Sequence, residues 1–135
     1  MTNLTKKTQN GTRAIVVSCR QCGKPAATIE LTPSSISDDS KASLRVIGFI
    51  GVITAYWLGS KPLTDQTINQ VQTLASTDLK DLRSLDRDLF GFICRECGAA
   101  YCRNCWSNYY VSFDEGFYDA TRATCPRGHE QMVQD

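Results

Sequence analysis

Seven cysteines and a single histidine are the residues of this chain best suited to chemistry. They fall into four close pairs: Cys19 with Cys22, Cys94 with Cys97, Cys102 with Cys105, and Cys125 with His129. Thiolate sulfur and imidazole nitrogen are the donors of tetrahedral zinc sites, and the two residues inside each C-x2-C pair let one tight turn present both sulfurs to one ion at about 2.3 Å. Four donors close one site, so eight make two, one all-cysteine and one with three cysteines and His129. The expectation is two structural Zn2+ ions held by Cys19, Cys22, Cys94, Cys97, Cys102, Cys105, Cys125 and His129. Two other uses of these thiols compete with it: iron, which also suits tetrahedral sulfur, and disulfides. The odd cysteine count opposes full disulfide pairing.

The same ligand count excludes most enzyme chemistry. With all eight residues committed, no cysteine remains as a nucleophile and no histidine as a general base, and a closed site has no open position for a reacting water. Asp114, Glu115 and Asp119 could pair as carboxylates, but solvated acids around a turn account for them. No catalytic residue and no small-molecule substrate is expected.

Composition describes an ordinary globular chain: 135 residues, 41% hydrophobic, 21% charged, formal charge +1. Seven thiolates and two divalent ions lower that charge by three, which makes bulk electrostatic attraction to nucleic acid or anionic membrane a weak expectation. The opening MTNLTKKTQNGTR has no apolar run and reads as a flexible lead-in over residues 1–13, neither signal peptide nor anchor. The expected setting is intracellular and reducing, cytoplasmic or nuclear, where cysteines stay available to metal.

The elements that must hold the ligands follow from patterning. Residues 14–32 read as a hairpin around the Cys19–Cys22 knuckle, with Gly23 supplying the turn. Pro33 to Ser40 is a polar loop, plainly solvated or a phosphorylation site. Val46 to Gly59 is the most apolar stretch, and its glycines and β-branched residues favour one or two core strands over a buried helix or membrane contact. From Thr64 to Phe90, Ile68, Val71, Ala75, Leu79, Leu82, Leu85 and Leu89 recur at helical spacing, with a break predicted at Ser76-Thr77-Asp78. Residues 91–129 hold six ligands: a second knuckle at Cys94–Gly98, a hairpin over Trp106–Thr124 with an acidic, glycine-containing turn, and a last knuckle at Cys125–His129. Residues 130–135 read as a fraying tail. The fold class expected is α+β: one zinc-stapled domain of knuckles and hairpins over residues 14–129, with residues 23–93 a folded strand-and-helix insert.

The ligand pairs can combine sequentially, 19/22 with 94/97 and 102/105 with 125/129, or in an interleaved way, 19/22 with 102/105 and 94/97 with 125/129. The run Cys94-Arg95-Glu96-Cys97-Gly98-Ala99-Ala100-Tyr101-Cys102-Arg103-Asn104-Cys105 resembles the central C-R-x-C-G-x-x-aromatic-C-x-x-C motif of FYVE domains, cross-braced, treble-clef-like zinc modules. That resemblance implies the interleaved pairing; the in-between-RING module has similar spacing and pairs sequentially. The basic, histidine-containing lipid run of FYVE domains is replaced here by Phe90-Gly91-Phe92-Ile93, so phosphoinositide binding is not implied.

The expected role is a non-catalytic protein-interaction or scaffold module. Single-stranded nucleic-acid binding is the first alternative, because Arg20, Lys24, Arg95, Arg103 and Arg127 lie beside ligands with Tyr101, Trp106, Tyr109 and Tyr110 nearby. The bland account of the same residues is that the cations offset thiolate charge while the aromatics fill a small core. A RING-like ubiquitin-ligase adaptor is a further alternative. Exposed Arg95, Arg103, Arg127 and Trp106 on one face would favour nucleic acid; an exposed apolar patch would favour a protein partner.

Overall fold

The computed structural model describes residues 4–7, 11–35 and 41–134. The architecture is α+β. Its first half is an antiparallel meander of five strands, β1 (Leu4–Lys7), β2 (Arg13–Ser18), β3 (Pro25–Thr32), β4 (Ser43–Ile47) and β5 (Val52–Ala55), each paired with its chain neighbour. Side chains alternate across a strand, so the residues Ile15 and Val17, Ala27, Ile29 and Leu31, and Leu44 and Val46 line one face, and all are buried. Fully burying one such aliphatic chain is worth about 1.5–3 kcal/mol, which fixes the register of this face.

Short β6 (Trp57–Leu58) and β7 (Lys61–Pro62) lead to helix α1 (Asp65–Thr77), which lays Ile68, Val71 and Ala75 against β2 and β3. Thr64 caps α1 reciprocally with Thr67: the Thr67 amide donates to Thr64 Oγ1 at 3.2 Å and the Thr64 amide to Thr67 Oγ1 at 2.7 Å. The break predicted at 76–78 falls at Asp78, whose carboxylate accepts from the Asp81 amide and starts α2 (Leu79–Leu85). Helix α2 packs on β8 (Ile93–Cys94) and β9 (Ala99–Ala100), joining the two halves of the molecule.

The second half is a two-stranded β8–β9 hairpin and a three-stranded sheet ordered β10 (Ser107–Asp114), β11 (Phe117–Thr124), β12 (Glu130–Gln134).

Four sequence expectations need correction. Helix does not persist to Phe90: it ends at Leu85, because the Asp86 carboxylate takes the amides of Asp88, Leu89 and Gly59 and holds the chain extended. The apolar run 46–59 supplies the end of β4, β5 and β6, but only part of it is core, Leu58 included. Val46 and Phe49 are buried, whereas Val52 is exposed on β5, the sheet edge, and Tyr56 and Trp57 are exposed just beyond it. The lead-in contributes strand β1, paired with β2, and Arg13 belongs to β2 itself. The tail is strand β12, with Gln131 and Val133 buried. Gln131 Nε2 donates to the carbonyls of Gly91 and Ile93 at 3.2 and 2.7 Å, and its Oε1 accepts from the Arg95 amide at 2.9 Å. Strand β8 is too short to satisfy this backbone itself, and the tail does so.

Candidate metal centres

Each ligand pair sits at a turn that its strands define. Cys19 and Cys22 occupy the β2–β3 turn, where the Gly23 amide donates to the Cys19 carbonyl at 2.9 Å and the Cys19 amide to the Lys24 carbonyl at 2.7 Å. Cys94 and Cys97 occupy the β8–β9 turn, closed in the same way by Gly98 on Cys94 at 2.9 Å. Gly23 and Gly98 have φ of 79° and 64°, left-handed conformations that a Cβ would strain. Cys102 and Cys105 follow β9, and Cys125 and His129 bracket the β11–β12 turn.

Two clusters result. Cys19, Cys22, Cys102 and Cys105 form one, and Cys94, Cys97, Cys125 and His129 the other; within each, the four donor atoms lie within 4.8 Å of one another. The pairs are therefore interleaved, and the sequential grouping does not occur. All eight residues singled out in the sequence are brought together, four and four.

The spacings suit a tetrahedral ion. With metal–sulfur bonds of about 2.3 Å and a metal–nitrogen bond of about 2.0 Å, the edges are about 3.8 Å between sulfurs and about 3.5 Å between sulfur and nitrogen. Here Cys22 Sγ and Cys102 Sγ are 3.5 Å apart, and Cys97 Sγ and Cys125 Sγ 3.9 Å. His129 turns Nδ1 inward, at 3.6, 3.3 and 3.5 Å from the sulfurs of Cys94, Cys97 and Cys125. Backbone amides point at the sulfurs as well: Cys97 N–H donates to Cys94 Sγ at 3.4 Å and Arg127 N–H to Cys125 Sγ at 3.3 Å. Such donors favour thiolate, the form that binds metal.

The thiols differ accordingly. Burial pushes Cys19 up, but the amides of Cys102, Cys22 and Gln21 outweigh it and bring the thiol down to about 7. In the second cluster burial likewise opposes the His129 and Arg127 amides at Cys125, which also falls to about 7. Burial dominates at Cys94, pushing it up to about 11. In each cluster, then, one thiol is held down by backbone amides, Cys19 in the first and Cys125 in the second.

A compact support surrounds the centres. Trp106 is buried, and its Nε1–H donates to the carbonyls of Phe92 and Tyr101 at 3.3 and 3.1 Å. Its ring meets Tyr101 edge-on, centroids 6.0 Å apart. Tyr101 directly precedes Cys102 of one cluster, while burial, then a hydrogen bond to Cys97 of the other, raises its hydroxyl well above the usual range. The Arg20 amide donates to the Ala100 carbonyl at 2.9 Å and ties the first knuckle to β9. Gly91 packs so closely on β12 that a Cβ there would overlap the Val133 carbonyl.

The flanking cations Arg20, Lys24, Arg95, Arg103 and Arg127 are exposed. A half-buried cation that feels the Cys94 sulfur is one that the sequence reading overlooked, Arg83. Burial first, then Arg95 and Arg87, lower its pKa, while Cys94 and Asp88 oppose them. Its only sequence signal is a position between Leu82 and Leu85 on the buried stripe of α2. Gln131 was likewise overlooked, because nothing in a polar C-terminal run announces a buried clamp. Asp114, Glu115 and Asp119 are exposed on the β10–β11 hairpin.

Fold and site together define a small α+β domain with two interleaved cysteine/histidine clusters, each able to hold a metal ion. The chain belongs to the family described as a domain of unknown function, DUF8328, whose model matches residues 8–135. No curated protein and no solved structure matches it. Among the described residues, no helix is long and apolar enough to cross a membrane.

Proposed function

We propose that the chain is a non-catalytic protein-interaction or scaffold module whose two clusters hold structural Zn2+ in a cross-braced, FYVE-like arrangement. The observation that carries this reading is the interleaving. Cluster one joins the β2–β3 turn to the chain after β9, and cluster two joins the β8–β9 turn to the β11–β12 turn. Zinc supplies cross-links at positions where the strands are only two residues long and form few backbone hydrogen bonds of their own. Three cysteines with histidine, and four cysteines, are the donor sets of closed zinc sites, and neither set keeps an open position for a substrate water.

The partner is a protein on this reading. Trp106 and Tyr101 are interior, so of the ligand-flanking aromatics only Tyr109 and Tyr110 are exposed, and Trp106 does not join the arginines on the surface as nucleic-acid binding would favour. The segment 90–93, where a FYVE domain has its lipid run, is buried and uncharged, which argues against phosphoinositide binding. Free thiols grouped for metal fit a reducing compartment, cytoplasmic or nuclear.

Elemental analysis of protein purified without added metal tests the reading. The expected result is two zinc per chain, falling to one in His129→Ala. A single metal in the wild type, or mostly iron, contradicts it.

A further inference from the structure

Nine large apolar side chains are exposed among the described residues, and six of them fall on one hairpin: Tyr109, Tyr110, Val111, Phe113, Phe117 and Tyr118. Phe113 and Phe117 are 67% and 76% exposed, more than any other large apolar residue described. Neither the metal clusters nor the core uses them. The rings are nonetheless held in place. The Tyr109 hydroxyl donates to the Arg103 carbonyl at 2.7 Å, the Tyr118 hydroxyl lies 3.0 Å from Thr121 Oγ1, and Phe113 stands directly across the strands from Tyr118.

Cations flank the Tyr109–Tyr110 end of the hairpin, Arg103 beside Tyr109 and Arg122 across from Tyr110, whereas the turn end carries only acids. Asp114, Glu115 and Asp119 are exposed on the same hairpin, and among the described residues no ion pair engages any of them. The hairpin's one cation, Arg122, is paired with Glu130 at 3.5 Å. Glu115 occupies the turn at φ 52°, beside Gly116 at φ 86°. This turn places the Glu115 carboxylate at the tip of the hairpin, next to Asp114.

We propose that the β10–β11 hairpin is the docking surface of the module, and that its occupant is a lysine- or arginine-rich segment of a partner protein. The inference rests on the interaction-module reading and names the chemistry of the partner. Cationic heads lie over tyrosine and phenylalanine faces, where the ring quadrupole attracts them, and ion-pair with the three carboxylates. The aliphatic stems cover the apolar surface between. A second copy docked hairpin to hairpin is a poor occupant, because it would set acid against acid. Edge-to-edge pairing through β10 is further hindered by its register shifts at Ser107/Tyr110 and Ser112/Phe113. Nucleic acid and anionic membranes meet the same repulsion.

A random short-peptide library displayed on phage, selected on the zinc-loaded full chain, tests this. The expected pool is rich in lysine and arginine. A soluble peptide from it should bind more weakly as salt rises. Its affinity should drop about tenfold or more in Asp114→Asn/Glu115→Gln and be lost in Phe113→Ser/Phe117→Ser, with zinc content and melting unchanged in both. A neutral or acidic pool, no enrichment, or equal binding by the variants overturns the assignment. Sedimentation showing a dimer that Phe113→Ser/Phe117→Ser dissolves would also overturn it, in favour of a second copy. Equal capture of one cellular protein by the wild type and the double phenylalanine variant sinks the hairpin assignment alone; capture of nothing by either sinks the interaction-module reading as well.

Discussion

The two halves of the molecule are held together by different physics. In the β1–β5 sheet with α1, strand alternation and a helical stripe bury Ile15, Val17, Ile29, Leu31, Leu44, Ile68 and Val71 in one continuous apolar layer. The half that begins at β8 has two strands of two residues each and a β10–β11 hairpin that is mostly exposed. Its interior is Trp106, Tyr101, Phe90, Phe92 and a clamp from Gln131. The four donors of cluster two lie wholly in this half, whereas cluster one borrows Cys19 and Cys22 from the sheet half. One apolar cluster runs through both halves, but the strands of the second are shorter and its candidate donors denser. A metal held by cluster one would bolt the halves together.

Removing cluster two should have the largest effect. Structural zinc contributes on the order of 10–16 kcal/mol in small domains. Cys94→Ser should release one metal and abolish hydrogen-exchange protection over residues 91–134, while β2–β4 and α1 keep theirs. Uniform loss of protection in both halves would erase the contrast.

Ile29→Ala cuts the opposite way. A cavity in the sheet core costs about 2–5 kcal/mol, so melting should fall substantially while the protein still carries two metals. If metal is lost with the same midpoint as the sheet, the halves unfold as one unit.

A smaller effect is expected at Gln131→Ala, which strips partners from the buried Gly91 and Ile93 carbonyls and the Arg95 amide. The space left by the side chain admits water to these groups, so the net cost is about 1–3 kcal/mol. Because these bonds brace the Cys94 knuckle, zinc should exchange faster from cluster two and not from cluster one. Equal exchange from both would show that the clamp does not act on the nearer site.

The metal donors were legible because eight residues of restricted chemistry sorted into pairs with turn-sized spacing, a signal that survives without knowledge of the fold. Their grouping was not legible from spacing, since either pairing could be built; only the resemblance of the Cys94–Cys105 run to a cross-braced motif pointed to the interleaved one that the geometry has. Helix α1 and the break at Asp78 were readable because a 3.6-residue stripe and a capping side chain are local signals. The end of α2 was not, because Leu89 continues the stripe while Asp86 captures the backbone. β12 escaped notice because Gln131 is buried to satisfy other residues' backbone, and no residue within its own segment carries that information. The apolar run 46–59 misled for a related reason: hydrophobicity marks strands, but it does not tell a central strand from an edge.

The measurement that bears most directly on the account is thiol alkylation mapped by mass spectrometry in the Cys19→Ser/Cys22→Ser protein. Two thiolates alone do not make a closed site, so the orphaned pair loses its protection. With interleaved clusters the orphans are Cys102 and Cys105, which should be labelled first while Cys94, Cys97 and Cys125 stay protected by the intact second site. Labelling of Cys94 and Cys97 with Cys102 and Cys105 protected would contradict the account, because it would place the first two knuckles on one ion and leave the halves of the molecule joined in a different way.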